Sequence, residues 1–569
     1  MIKFQRECHT LNRKGHTTRW WHRLWCRECR DAQEIDAMIG FGLMQIQHAP
    51  ASINGLEETL FALDLSGGGK AVKRAARHVG IYKLFIAGRM GAGALVIMLV
   101  WWQYMNYIPP MHIPPKQLPT PNAFTYFKEA ALKSLYGNEI VLAIALPQKD
   151  AKPTPRIDKT VTQKDVYGKD VIDEKGNVVR IKHIFDDEHL YTLADKQLLL
   201  DENRETLAAL RQGLSYDYVE PHERTSLDIY RYYGQFRSMT RLLSLEVAVR
   251  EAKGNWNGAM QSHLDAIQLG VKIAHGAPLM GELTGINCQT IGRHGIWNCL
   301  PHLNAAETRA AVTRMETIQA HQAPYAETLR EEEWMSLETM RKEMRDGRWR
   351  FEIGNTDSEH KYNWFSLIFL GWSNRTILNG MQVYMDKLVA RSRLSYQQER
   401  ALTPLALPQD PLSQMLLPIF SGGRFKETSS EETQNALLLT TLALHAYALE
   451  HAGQYPSTLQ ALTPDYIKRV PVDPFAPDNA PLRYRNYQRT VYCEDLFPSS
   501  YPKYPGRENY VLYSVGPDGK DDGGQPTDLM TEKHNVLGAN AQAPRPGDNN
   551  RYLVFPESTG DIVAGLNKN

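Results

Sequence analysis

Neither sign of charge dominates this chain, cysteine is sparse, and the usual signatures of nucleotide and hydrolase chemistry are missing. With 65 Lys+Arg against 64 Asp+Glu, there is no overall basic excess of the kind that binds nucleic acid, and no nucleic-acid partner is expected. Six cysteines in 569 residues do not make a disulfide framework: Cys8, Cys26 and Cys29 crowd the N-terminus, while Cys288, Cys299 and Cys493 are scattered. Cys288 and Cys299 fall in a stretch that reads as one helix, about 16 Å apart along its axis. That is too far for a bridge, and both read as small core residues. No P-loop or Rossmann glycine loop, no G-x-S-x-G and no H-E-x-x-H is found. His263, His275, His294 and His302 have no metal-ligand spacing. The acidic runs Asp186–His189 and Glu331–Glu333 read as solvated helix features. No catalytic residue is assigned, and the chain reads as non-enzymatic.

What is present is organised along the chain. Residues 90–108 carry no charge, and 84–88 extend the apolar run if Arg89 snorkels. Lys70, Lys73, Arg74, Arg77, Lys83 and Arg89 flank it on one side, and no Lys or Arg follows until Lys116. Trp101, Trp102, Tyr104 and Tyr107 supply an aromatic belt on that second side. This pattern predicts a single transmembrane helix over 84–108. Residues 1–83 would then be cytoplasmic, with everything past the span outside the cytoplasm: a single-pass inner-membrane protein. Residues 1–89 hold 14 Lys+Arg against 8 Asp+Glu, and 36–83 is read as a basic linker. The prolines of 109–122 read as a stiff spacer.

Near the N-terminus, His22, Cys26 and Cys29 follow the pattern H-x3-C-x2-C, which puts all three on one helical face. One imidazole and two thiolates supply three tetrahedral zinc ligands, with Cys8 as a fourth and His9 or His16 as substitutes. Free thiols on a basic amphipathic helix are the alternative. The segment resembles the zinc-binding segment of membrane-tethered anti-sigma factors. That resemblance covers about 30 residues and implies a module over 1–35 that holds a sigma factor.

Residues 123–425 are mostly helical by period. Leu242, Leu245, Val249 and Ala252 recur at three and four, as do Met260, Leu264, Ile267 and Val271. The breaker-rich Lys253–Gly258 stretch between them predicts a helical hairpin. It resembles one tetratricopeptide-like unit, although a plain helical bundle explains it equally well. Further helices are expected at 124–136, 187–212, 305–345 and 376–399, with a β-hairpin insert near 150–185.

The segment 426–569 is the most distinctive. An apolar helix over Asn435–His451 stops at Ala452-Gly453. It is followed by Tyr455-Pro456, Val470-Pro471-Val472-Asp473-Pro474, Leu482-Arg483-Tyr484-Arg485, and Tyr513-Ser514-Val515-Gly516-Pro517-Asp518-Gly519. In this order the elements resemble the C-terminal domain of the major pseudopilin of type II secretion, over about residues 431–530. The resemblance implies a long helix packed on a small antiparallel sheet, with calcium in the last loop. Asp518 and Asp528 match family positions, and Asp521 and Asp522 stand beside them without clean counterparts. Hard cations need several oxygens, and this loop offers them; the same sequence also makes a good hairpin without metal. The family's leader and its cleavage site with a following Glu are not matched, since Gly40-Phe41 lies about fifty residues upstream of the apolar run. Insertions near 487–508 and 530–556 also set the domain apart.

The expected fold is therefore α+β, mainly α: one transmembrane helix, a helical extracytoplasmic body, and a C-terminal helix on a small sheet. The expected role is binding, scaffolding or signalling across a membrane through a protein partner, either a sigma factor or an envelope assembly. A component of a type II secretion or pseudopilus-like assembly, and an extracytoplasmic enzyme with its site in the helical body, are the competing readings.

Overall fold

The computed structural model describes residues 91–104, 106–108, 110–145, 159–162, 180–183, 191–224, 229–345, 373–420, 425, 427–487, 509–528 and 552–567. Cys8, His22, Cys26 and Cys29, the basic linker and the larger part of both late insertions lie outside them. The described residues fall into two units. Residues up to Pro110, with 340–380 and 410–412, belong to the first, and the remainder form the second.

In the first unit, residues 91–104 are helical. This corrects the expectation of a single transmembrane helix and, with it, the single-pass inner-membrane placement. Among the described residues no helix is long and apolar enough to cross a membrane. The 14 described helical residues rise about 21 Å, against a hydrocarbon core of about 30 Å. Near the proline spacer, the Tyr107 amide donates to the Tyr104 carbonyl at 3.4 Å. Asn374 donates through Nδ2 to the carbonyl of Asn106 at 3.3 Å, and the Arg375 guanidinium lies 4.8 Å from the Tyr104 ring centre.

The second unit is mostly helical. It starts with α1 (Ala123–Lys133) and α2 (Gly137–Ala145). Strands β1 (Lys159–Thr162) and β2 (Arg180–His183) then pair antiparallel within the stretch read as a hairpin insert. The helices α3 (Leu193–Glu202), α4 (Arg204–Leu214), α5 (Ile229–Ala252), α6 (Trp256–Ile273) and α7 (Leu279–Arg293) follow. Helix α5 turns into α6 over three residues, and Asn255 caps α6 by accepting from the Gly258 amide at 2.9 Å. Helices α6 and α7 meet backbone to backbone. A Cβ on Gly270 would stand 2.5 Å from the Gly285 carbonyl oxygen, and a Cβ on Gly285 would stand equally close to that of Gly270. The sequence stretch expected to run as one helix through Cys288 and Cys299 is broken at Gly295, whose φ is +82°. Two short 3₁₀ turns, Ile296–Asn298 and Leu300–His302, flank Cys299.

The long 305–345 expectation resolves into α8 (Ala305–Ala320) and α9 (Tyr325–Arg345), and α10 spans Asn374–Arg391. Asn304 opens α8 with a reciprocal capping box to Glu307. A π-helical turn, Glu427–Thr433, leads into α11 (Gln434–Glu450). Helix α11 is apolar on every side and accordingly buried along most of its length. It stops where Ala452 and Gly453 take positive φ and the Gly453 amide reaches back to the Ala448 carbonyl at 2.7 Å. Helix α11 packs against α8 and against β4 of a three-stranded antiparallel sheet. The sheet comprises β3 (Arg483–Asn486), β4 (Tyr510–Ser514) and β5 (Ile562–Val563) in the order β3-β4-β5. All five residues of β4 are buried, as a central strand covered by a helix requires.

Candidate functional site

The loop that leaves β4, residues 515–528, is held by two buried acids from elsewhere in the chain. Asp473, from the Pro-x-Asp-Pro segment, fixes its start. Its carboxylate accepts from Ser514 Oγ at 2.6 Å, the Val515 amide at 2.9 Å and the Phe475 amide at 3.0 Å. Gly516 follows, and no other residue fits there: its φ is +72°, and a Cβ would lie 2.3 Å from the Gly560 carbonyl oxygen.

Asp561 fixes the far side. Its carboxylate accepts from the Gly524 amide at 2.6 Å and from the Asp522 amide at 3.4 Å. Its own amide donates to Gln525 O at 2.7 Å, and its carbonyl accepts from the Thr527 amide at 2.9 Å. Burial pushes the Asp561 carboxyl up to about 8 despite these amide donors, and the nearby carboxylates of Asp521 and Asp522 add to the rise. A third support comes from the helical turn Tyr396–Arg400: Gln397 Nε2 donates to Pro517 O at 3.0 Å, and Arg400 donates to the same carbonyl.

The four loop acids named from the sequence take separate roles. Asp518 accepts from the Lys520 amide at 3.1 Å, a local turn. Asp521 accepts from Tyr513 Oη and from the Gly523 amide, both at 2.9 Å, and pairs with Arg483 Nε at 3.4 Å. Asp522 is exposed, and Asp528 is buried. Among the described residues, no three of these acids bring ligand atoms within 4.8 Å of one another. Asp521 and Asp522 act on Asp561 by charge, but the ligand atoms of these three acids do not all lie within 4.8 Å of one another either. The sequence reading missed Asp561, Gln397 and Arg400. Their only signal was an Asp preceding a short apolar pair, and nothing local ties any of them to the loop.

Several charged groups of the helical body are engaged with one another. The run Glu331–Glu333, expected to be solvated, is largely buried. Glu331 takes a two-pronged hydrogen bond from Arg224 at 2.7 and 2.8 Å. Glu332 accepts from the Leu279 amide at 2.9 Å, and Glu333 pairs with Arg330 at 2.6 Å. Glu246 binds Arg211, Arg250 and Ser262, while Asp265 binds Arg211 and Arg314. Where α7 meets the π turn, Gln289 donates to Glu431, and Arg293 donates to Asn435 at 2.8 Å. Such closed networks hold helices in register; they place no activated nucleophile beside a base. No family model, curated protein or solved structure matches this chain.

Proposed function

We propose that this protein works by binding, as a scaffold or assembly component rather than as an enzyme, and that the 515–528 loop is its contact element. The observation that carries the reading is a contrast in how charge is used. In the helical body, Glu246, Asp265, Glu331 and Glu333 are each paired with a guanidinium group. In the loop, Lys520, Asp521 and Asp522 are exposed on a backbone pinned by buried Asp473 and Asp561. A rigid, charged, solvent-facing loop loses little conformational freedom on docking. The order of elements, a long buried helix and then a sheet whose central strand runs into this loop, supports the pseudopilin-like reading of the domain. The partner class proposed is a protein subunit of a pseudopilus-like assembly. Calcium is proposed as a ligand that stiffens the loop through Asp521, Asp522 and Asp561.

Photo-cross-linking in the cell tests the docking element. A photoreactive residue at Lys520 is expected to give one discrete protein adduct, with none from the exposed control position Lys468. Equal or absent cross-linking at both positions removes the docking role. Thermal unfolding of the full chain with calcium tests the ligand separately. A rise in midpoint that Asp522→Asn abolishes is expected, and an unchanged midpoint removes calcium.

A further inference from the structure

One group of ligating side chains is assembled in the helical body from three elements that the sequence does not link. Glu251 stands in the last turn of α5, His263 in the second turn of α6, and Cys299 between the two 3₁₀ turns. Each offers a ligand atom, and these atoms all lie within 4.8 Å of one another, the one such group among the described residues. His263 and Cys299 are buried and Glu251 is partly so.

The histidine is set up as a ligand. Its Nδ1 is 2.6 Å from the Gly292 carbonyl oxygen. A carbonyl only accepts, so Nδ1 carries the proton and the Nε2 lone pair is free. That Nε2 is buried and has no hydrogen-bond partner. An imidazole whose other nitrogen donates to a backbone carbonyl is the usual orientation of a metal-bound histidine. A buried nitrogen lone pair left without a donor is otherwise an energetic loss. The other two groups already sit at ligand spacing: Cys299 Sγ lies 3.8 Å from Glu251 Oε1. Two tetrahedral zinc ligands with bonds of about 2.3 and 2.1 Å stand about 3.6 Å apart.

We propose that Glu251, His263 and Cys299 form a binding site for a divalent transition metal of borderline softness, zinc by its chemistry. One thiolate, one imidazole and one carboxylate select against calcium and magnesium, which require oxygen ligands alone. Three protein ligands leave a fourth tetrahedral position for water or an incoming group. On binding, Cys299 loses its thiol proton to solvent and its sulfur joins the metal; no redox partner is needed. Glu251 is the only one of the three with solvent exposure, so the ion enters past its carboxylate. The site is independent of the acidic C-terminal loop, which contains neither sulfur nor imidazole.

Cobalt(II) is the probe, because a cysteine thiolate bound to it gives a sulfur-to-metal absorption band that carboxylate sites lack. The full chain is used with Cys8, Cys26, Cys29 and Cys493 each replaced by Ser, so that only Cys288 and Cys299 can supply sulfur. After chelator treatment, cobalt titration is expected to produce the band with one equivalent bound, and zinc to bleach it. Cys288→Ser should keep the band, and Cys299→Ser should abolish it. Glu251→Gln, at the partly exposed and therefore most tolerant position, should weaken binding at least tenfold while the circular dichroism stays unchanged. Absence of the band in the folded parent overturns the site, as does a band that survives Cys299→Ser.

Discussion

At the scale of single residues, burial decides more than formal charge. Glu333 belongs to an acidic run on the outer-looking part of the sequence, yet it is 1% exposed. Burial is the largest influence on its carboxyl, and repulsion from Asp386 adds to it. Together they outweigh the Arg330 ion pair and push the group up to about 7, from the ordinary 4.5. The folded protein therefore keeps a proton that the unfolded chain releases. The stabilisation this gives is complete below about pH 4.5 and is lost as pH rises through 7. Stability measured by urea unfolding should fall over that window, and Glu333→Gln should flatten the fall. A wild-type profile that rises instead would show that the ion pair with Arg330 dominates. Burial raises the Asp473 carboxyl as well, but three donors that meet its carboxylate work against the rise, and it stands in a Pro-x-Asp-Pro segment. The segment was legible as part of an order of elements, but the three bonds that Asp473 makes were not, because Ser514 and Val515 lie about forty residues away. Glu333 was not legible, because nothing near it in sequence announces that α9 buries that face.

At the scale of elements, periodicity located the helices and glycine set how closely they approach. The repeats Leu242–Ala252 and Met260–Val271 forecast the α5–α6 hairpin, and Ala452-Gly453 forecast the end of α11. The α6–α7 crossing was not forecast. It depends on Gly270 and Gly285, which lie on different helices and face each other's carbonyl oxygens with no room for a methyl group. Gly285→Ala should push the helices apart and destabilise the fold by about 1–3 kcal/mol, as overpacking of a close contact does. The measurement is the urea midpoint at constant m-value. A neutral result would mean that the two helices slide without loss. The break at Gly295 was also missed, and with it the placement of Cys299. The breakers are there to read, since Gly292, Gly295 and Asn298 precede Cys299 and Pro301 follows it, yet the sequence reading puts Cys288 and Cys299 in one helical stretch.

At the scale of the whole molecule, polar groups join helices that are remote in sequence. Glu246 and Asp265, with Arg211, Arg250 and Arg314, tie α4, α5, α6 and α8 into one block. Glu246→Ala takes one of two carboxylates from Arg211 and leaves Arg250 only Gly258 O and Ser262 Oγ, and should cost about 3 kcal/mol. Arg309→Ala removes a partly exposed pair with Glu450, a hydrogen bond to the Asp465 carbonyl and a contact with the Tyr466 ring, and should move the unfolding midpoint less. Equal losses from the two substitutions would show that the block is not the stabilising unit. Only Glu246–Arg250, four residues apart on α5, could be read from spacing; the other pairs depend on which helices become neighbours. The same holds for Asp561, which reaches across to close the 515–528 loop. That closure has a consequence for the nascent chain. Strand β3 and most of the helical body are synthesised well before β5, so β4 must wait with one hydrogen-bonding edge bare. Until Asp561, Ile562 and Val563 emerge, a buried apolar strand is open to pairing with another copy, and this is the interval in which the protein is most exposed to aggregation.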